Sequence, residues 1–147
     1  MYGRILIPID GSSCSEQAVS HGVRLAAALG STVVFLFAMD TIPVVREGVV
    51  GSGEALQILR AQGGAIVARA IEIARAANVV AEEMLVEGLA ADVIVRESDG
   101  FDLVVMGSHG KGFLQRMIVG SVTEAVLHRI ARPLLVIQCN RATANAG

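Results

Sequence analysis

Apolar runs of two different periods alternate along this chain, and that alternation constrains the fold more than any single motif. Residues 3–9, 32–39, 101–106 and 134–138 are short and rich in Val, Ile, Leu and Phe. Runs of this kind predict strands buried on both faces, as in a parallel sheet covered by helices. Between them the apolar spacing turns helical. Ala18, Val19, Gly22, Leu25, Ala26 and Leu29 follow Ser13-Cys14-Ser15-Glu16, which reads as a capping box with Ser13 as N-cap, and Gly30 closes the helix. Leu56, Leu59, Ile66, Val67, Ala70, Ile71 and Ala74 predict a long helix over 54–78, weakened or bent near Gly63-Gly64. Further helices are expected over 89–98 and, from a second capping box at Ser121 and Glu124, over 121–130. Residues 79–86 predict a third strand, placed at a sheet edge by Glu82 and Glu83. The segment 40–53, with Pro43, Gly48, Gly51 and Gly53, is expected to be a mobile loop or a short irregular excursion.

The resulting order β-α-β-α-β-α-β-α-β implies an α/β fold: a single-domain open five-stranded parallel sheet with right-handed connections and helices on both faces. A length of 147 residues suits one domain. Although 53% of the chain is hydrophobic, runs such as 33–39 fall far short of the ~18 residues of a membrane span. A formal net charge of −2 argues against nucleic acid and anionic membranes as partners. The N-terminus is no signal peptide, because Pro8 and Asp10 interrupt its apolar stretch. Cys14 and Cys139 are far apart and show no metal-type spacing, so a reducing cytoplasm is expected.

Function is best sought just past the fourth strand. Met106-Gly107-Ser108-His109-Gly110 is followed, after nine residues, by Gly120-Ser121. Glycines beyond a strand and a Gly-Ser pair at a helix start leave backbone amides bare, supply a hydroxyl and aim a helix dipole, as a phosphate requires. Ligands of open α/β sheets bind beyond the carboxyl ends of strands where strand order reverses. If strands one and four are neighbours there, Asp10 faces the glycine loop, carboxylate toward ribose and cradle toward phosphates. The alternative is that Asp10 only caps the first helix with Ser12 and Ser13. Neither a Walker loop nor a G-x-G-x-x-G fingerprint is present: Phe113 follows Gly112 where Lys is needed, and Asp10-Gly11-Ser12-Ser13 follows strand one.

The pattern G-x2-G-x9-G-[ST] after a fourth strand, with Pro8-Ile9-Asp10-Gly11-Ser12 after the first and Ser121-Val122-Thr123-Glu124 at the last helix, resembles the ATP-binding branch of the universal stress protein family. The resemblance implies strand order 3-2-1-4-5 and a nucleotide-binding domain over 1–140, with 141–147 a flexible tail. It implies that Asp10 holds the ribose, with Pro8 also among the cofactor-binding residues, that Ala38 offers backbone groups to adenine, and that Met106, Gly107 and Gly110 line the ribose and phosphate path. Gly120, Ser121, Val122 and Thr123 would clasp the phosphates through amides and two hydroxyls. The bound group would be ATP, or ADP or AMP, with Mg²⁺. The partners implied are a second copy of the chain, paired through the C-terminal strand, and a regulated protein.

Other candidates weigh less. His109 could act in proton transfer, although loop histidines are more often solvated. Lys111 and Arg116 could neutralise terminal phosphates or be solvated. His21 and His128 have no metal-site spacing. Ser12 and Ser13 read as caps because no G-x-S-x-G elbow surrounds them. Cys14, in a first helical turn, is either a reactive thiol or a small buried residue. A binding and regulatory module therefore ranks first, a slow ATPase or other adenine-nucleotide-processing enzyme second, and an empty dimeric module third. No catalytic residue is assigned.

Overall fold

In a computed structural model of the chain, residues 1–48, 50–110 and 119–139 are described. Five strands form one parallel sheet: β1 (Arg4–Pro8), β2 (Thr32–Met39), β3 (Ala81–Glu87), β4 (Leu103–Gly107) and β5 (Leu134–Ile137). Their order across the sheet is β3-β2-β1-β4-β5. β1 lies at the centre, with Ile5 opposite Val33 of β2 and Leu103 of β4. The chain runs outward from β1 in one direction, returns, and then runs outward in the other.

Side-chain alternation divides the sheet cleanly. Ile5, Ile7, Val33, Phe35, Phe37 and Val105 enter one apolar layer, under α1 (Ser13–Leu29) and α3 (Ser52–Ala76). Leu6, Val34, Leu36, Val104 and Met106 enter the other, under α4 (Ala90–Glu97) and α5 (Ser121–Arg129). Because β1, β2 and β4 are covered on both faces, nearly every residue in them is apolar. β3 is half exposed at one edge, as Glu82 and Glu83 suggested.

Two local expectations are corrected and one is refined. Residues 40–53 contain α2 (Thr41–Glu47), which has no buried residue. Asp40 caps it, Oδ1 accepting from Ile42 N at 3.1 Å, and Pro43 falls in the first turn, where a missing N–H costs nothing. The Gly63-Gly64 pair does not interrupt α3, which is continuous across it. A Cβ at Gly63 would collide with the Phe37 ring, so that glycine serves the close approach of α3 to β2. The N-cap of α1 is Ser12 and not Ser13; its hydroxyl accepts from Ser15 N at 3.2 Å. Residues 141–147, expected to be a flexible tail, lie outside the described residues.

Candidate functional site

β1 and β4 end side by side at the point where the chain's direction of travel reverses, and a cleft opens beyond their carboxyl ends. It holds about 780 Å³ of unoccupied space, part of it open to solvent. Pro8, Asp10, Ala38, Met106, Gly107, Gly110, Gly120, Ser121, Val122 and Thr123 all line it. The ten residues named from the sequence are thus brought to one place by four separate chain segments.

Asp10 makes a local turn and also faces the loop after β4. Its Oδ1 accepts from Ser12 N at 2.9 Å, a local turn that leads into α1. Its Oδ2 stands where a Cβ of residue 110 would be. Only a glycine at 110 lets the carboxylate and the loop after β4 share this wall of the cleft.

The other motif glycines also admit neighbouring chain. A Cβ at Gly107 would stand 2.6 Å from Cys14 Sγ and 3.1 Å from the Cys14 carbonyl, so α1 could not seat against β4. A Cβ at Gly120 would meet the His109 Cα at 3.0 Å. The loop is held in turn by Gly120 N donating to Ser108 O at 2.7 Å. The glycines expected to bare amides are thus required by packing.

The start of α5 departs from expectation by one residue, with chemical consequences. Gly120 is the N-cap and has no side chain to cap with. Glu124 N bonds the Gly120 carbonyl. Among the described residues, no hydrogen bond occupies the amides of Ser121, Val122 and Thr123, which are orphans of a first helical turn. Such an uncapped end, with its positive dipole, is chemically suited to an anion. Of the two hydroxyls expected to clasp phosphates, that of Thr123 is buried and donates to the Gly107 carbonyl at 2.8 Å. It ties the two halves of the motif together and leaves Ser121 as the hydroxyl at the cleft.

Sequence reasoning missed part of the lining. Leu36 adds an apolar wall with Ala38, and Ala90 and Ile94 of α4 close the side. Leu36 and Ala38 are two apart on a strand, so once Ala38 was named the alternation pointed to Leu36. His109 lines the cleft too. Lys111 and Arg116 lie outside the described residues.

The reading of the cysteines is overturned. Cys14 and Cys139 are joined by a disulfide, with Cα atoms 5.6 Å apart and a sequence separation of 125. Spacing along the chain could not reveal this, because the pairing arises where the start of α1 meets the residues after β5. Cys14 is accordingly not a free thiol.

Comparison with known proteins gives a consistent result. Residues 1–138 match the universal stress protein family as a whole. Universal stress protein MJ0531 of Methanocaldococcus jannaschii is 32% identical over 141 residues, covering 94% of this chain and 83% of that protein. The solved structure of MJ0577, from the same organism, superposes with a TM-score of 0.84 at 28% identity, over 96% of this chain and 99% of that one. A universal stress protein crystallised in complex with cAMP superposes with a TM-score of 0.70 at 26% identity, over 93% of this chain and 97% of that one.

Proposed function

The chain belongs to the universal stress protein family, and from that premise we propose that it binds adenine nucleotides, ATP above all, as a nucleotide-dependent regulatory module. One observation carries the reading: the ten residues expected at a nucleotide line a single cleft at the strand-order reversal. The related protein solved with cAMP supports the choice of an adenine ligand.

In this reading Asp10 accepts from the ribose hydroxyls. The backbone at Ala38 meets the adenine edge, with Leu36 and Ile94 as apolar wall. The phosphates lie along Gly107 and Gly110 and end on the amides of Ser121, Val122 and Thr123, joined by the Ser121 hydroxyl. Asp10 is the one carboxylate among the described lining residues. A Mg²⁺ ion therefore enters with the phosphates rather than on an acid pair. Hydrolysis is the second reading, and the observation favouring it is His109 on the cleft wall. The binding domain comprises 1–140. A homodimer through β5 belongs to the same proposal, supported by its place at the sheet edge and by Leu135, 41% exposed.

The test is direct. Nucleotide released from heat-denatured purified protein is identified by mass, and calorimetry measures ATP affinity with and without Mg²⁺. Gly120→Val should abolish binding, since even a Cβ there meets the His109 backbone. Unchanged affinity in a folded Gly120→Val protein would refute the site, and turnover of many per second would transfer the reading to an enzyme.

A further inference from the structure

Three donors of one chemical character meet below the glycine loop. Cys14 comes from the first turn of α1, His109 from the loop after β4, and Cys139 from the segment after β5. One ligand atom from each lies within 4.8 Å of the others. We propose that, when the disulfide is reduced, Cys14, Cys139 and His109 form a binding site for a soft divalent metal ion of the zinc class.

The distances suit such an ion. Zinc holds sulfur at ~2.3 Å and imidazole nitrogen at ~2.0–2.1 Å in tetrahedral array, which sets its donors roughly 3.4–3.8 Å from one another. Side-chain rotation about Cα atoms 5.6 Å apart can open the two sulfurs to that spacing without moving the backbone. Three protein donors leave a fourth coordination position. Two thiolates and an imidazole select zinc-like ions over Mg²⁺ or Ca²⁺, which take oxygen.

Charge decides which ion. Cys14 is fully buried and Cys139 is 5% exposed. Two thiolates and a neutral imidazole cancel a divalent cation, whereas a monovalent one would leave a buried negative charge, which is costly. The surroundings favour the thiolates. Cys14 sits at the positive end of α1. The buried Ser108 hydroxyl stands between the cysteines, 3.9 Å from Cys14 Sγ and accepting from Cys139 N at 3.3 Å. Its proton is placed to support a thiolate from outside the coordination shell.

The two states exclude each other and balance. A dithiol or phosphine reductant supplies two electrons, and with two protons the disulfide becomes two thiols. The ion then displaces those two protons and binds both sulfurs. Oxidation by a disulfide or a hydroperoxide takes the two electrons back and expels the ion. None of this depends on a nucleotide occupying the cleft.

The experiment uses the full chain, reduced with a phosphine, desalted without oxygen and shown to carry two titratable thiols. Co²⁺ is the probe. One equivalent should produce a sulfur-to-cobalt charge-transfer band in the near ultraviolet with tetrahedral visible bands, and one equivalent of Zn²⁺ should erase them. Oxidised protein should give neither. His109→Gln, which keeps both sulfurs, should weaken Co²⁺ binding by about ten-fold or more, and Cys139→Ser by more than that. Circular dichroism establishes that each variant is folded. The proposal is overturned if folded, two-thiol protein gives no charge-transfer band. It is equally overturned if His109→Gln leaves spectrum and affinity unchanged, or if the oxidised protein binds as well. Each result is independent of ATP affinity, so failure here leaves the nucleotide reading untouched.

Discussion

Reducing the Cys14–Cys139 bond should destabilise the fold by several kcal/mol, and the size follows from where the bond lies. It spans 125 positions and encloses everything from the first turn of α1 to the end of β5. Loop-closure entropy for such a span is about 16.5 cal/mol/K, or about 4.9 kcal/mol at 25 °C, and measured disulfides more often give about 2–4 kcal/mol. The Cα separation of 5.6 Å is ordinary for a disulfide, so no backbone distortion offsets the gain. With a urea slope of about 2 kcal/mol per M, a loss of about 4 kcal/mol moves the unfolding midpoint down by about 2 M. The assay is urea unfolding followed by far-ultraviolet circular dichroism, on oxidised protein with no titratable thiol and on the same protein reduced with a phosphine. Cys139→Ser should match the reduced protein and be indifferent to reductant. A midpoint difference below about 0.3 M between verified oxidised and reduced samples would refute the reasoning, as would two free thiols in native, air-exposed protein.

Gly110→Ala sets a methyl where Asp10 Oδ2 now stands; losing one charge-assisted hydrogen bond of about 1.5–3 kcal/mol should weaken ATP binding by roughly 10- to 150-fold in calorimetry, with little change in melting temperature. In α3, Gly63→Ala and Gly64→Ala should act with opposite sign. The first drives a methyl into the Phe37 ring and the second meets nothing within 4 Å, so we expect a net loss of about 1–2 kcal/mol for the one and a gain of up to about 1 kcal/mol for the other in urea unfolding. Thr123→Val removes the hydroxyl that donates to the Gly107 carbonyl and should cost about 1–3 kcal/mol by thermal or urea unfolding, since it leaves a buried acceptor unpaired.

What could be read in advance followed from periodicity and from one motif. Strands buried on both faces, such as 33–37, announce themselves because every position must be apolar, and the change to helical spacing marks each crossover. The cleft was legible because Asp10 and the residues at 106–110 and 120–123 sit at strand ends and a helix start, positions that topology alone brings together. The misreadings came where a residue type has two physical uses. Glycine and proline in 40–53 read as breakers, yet Asp40 caps a helix there and Pro43 fits its first turn. Gly63 read only as a weak point, and its second role, admitting the Phe37 ring, went unseen. The cysteine pair was invisible because no local pattern encodes the meeting of α1 with the chain after β5.

The central position of β1 has a consequence for how the chain is made. Ile5 pairs with Leu103, so the innermost strand leaves the ribosome long before the strand that completes it. At a synthesis rate of about 5–20 residues per second, the intervening stretch takes about 5–20 s to appear. Throughout that interval β1 can pair with β2 alone, and the side destined for β4 presents bare amides and carbonyls to whatever is nearby. A nascent-chain chaperone, or pausing by the ribosome, would act on this protein chiefly in that window.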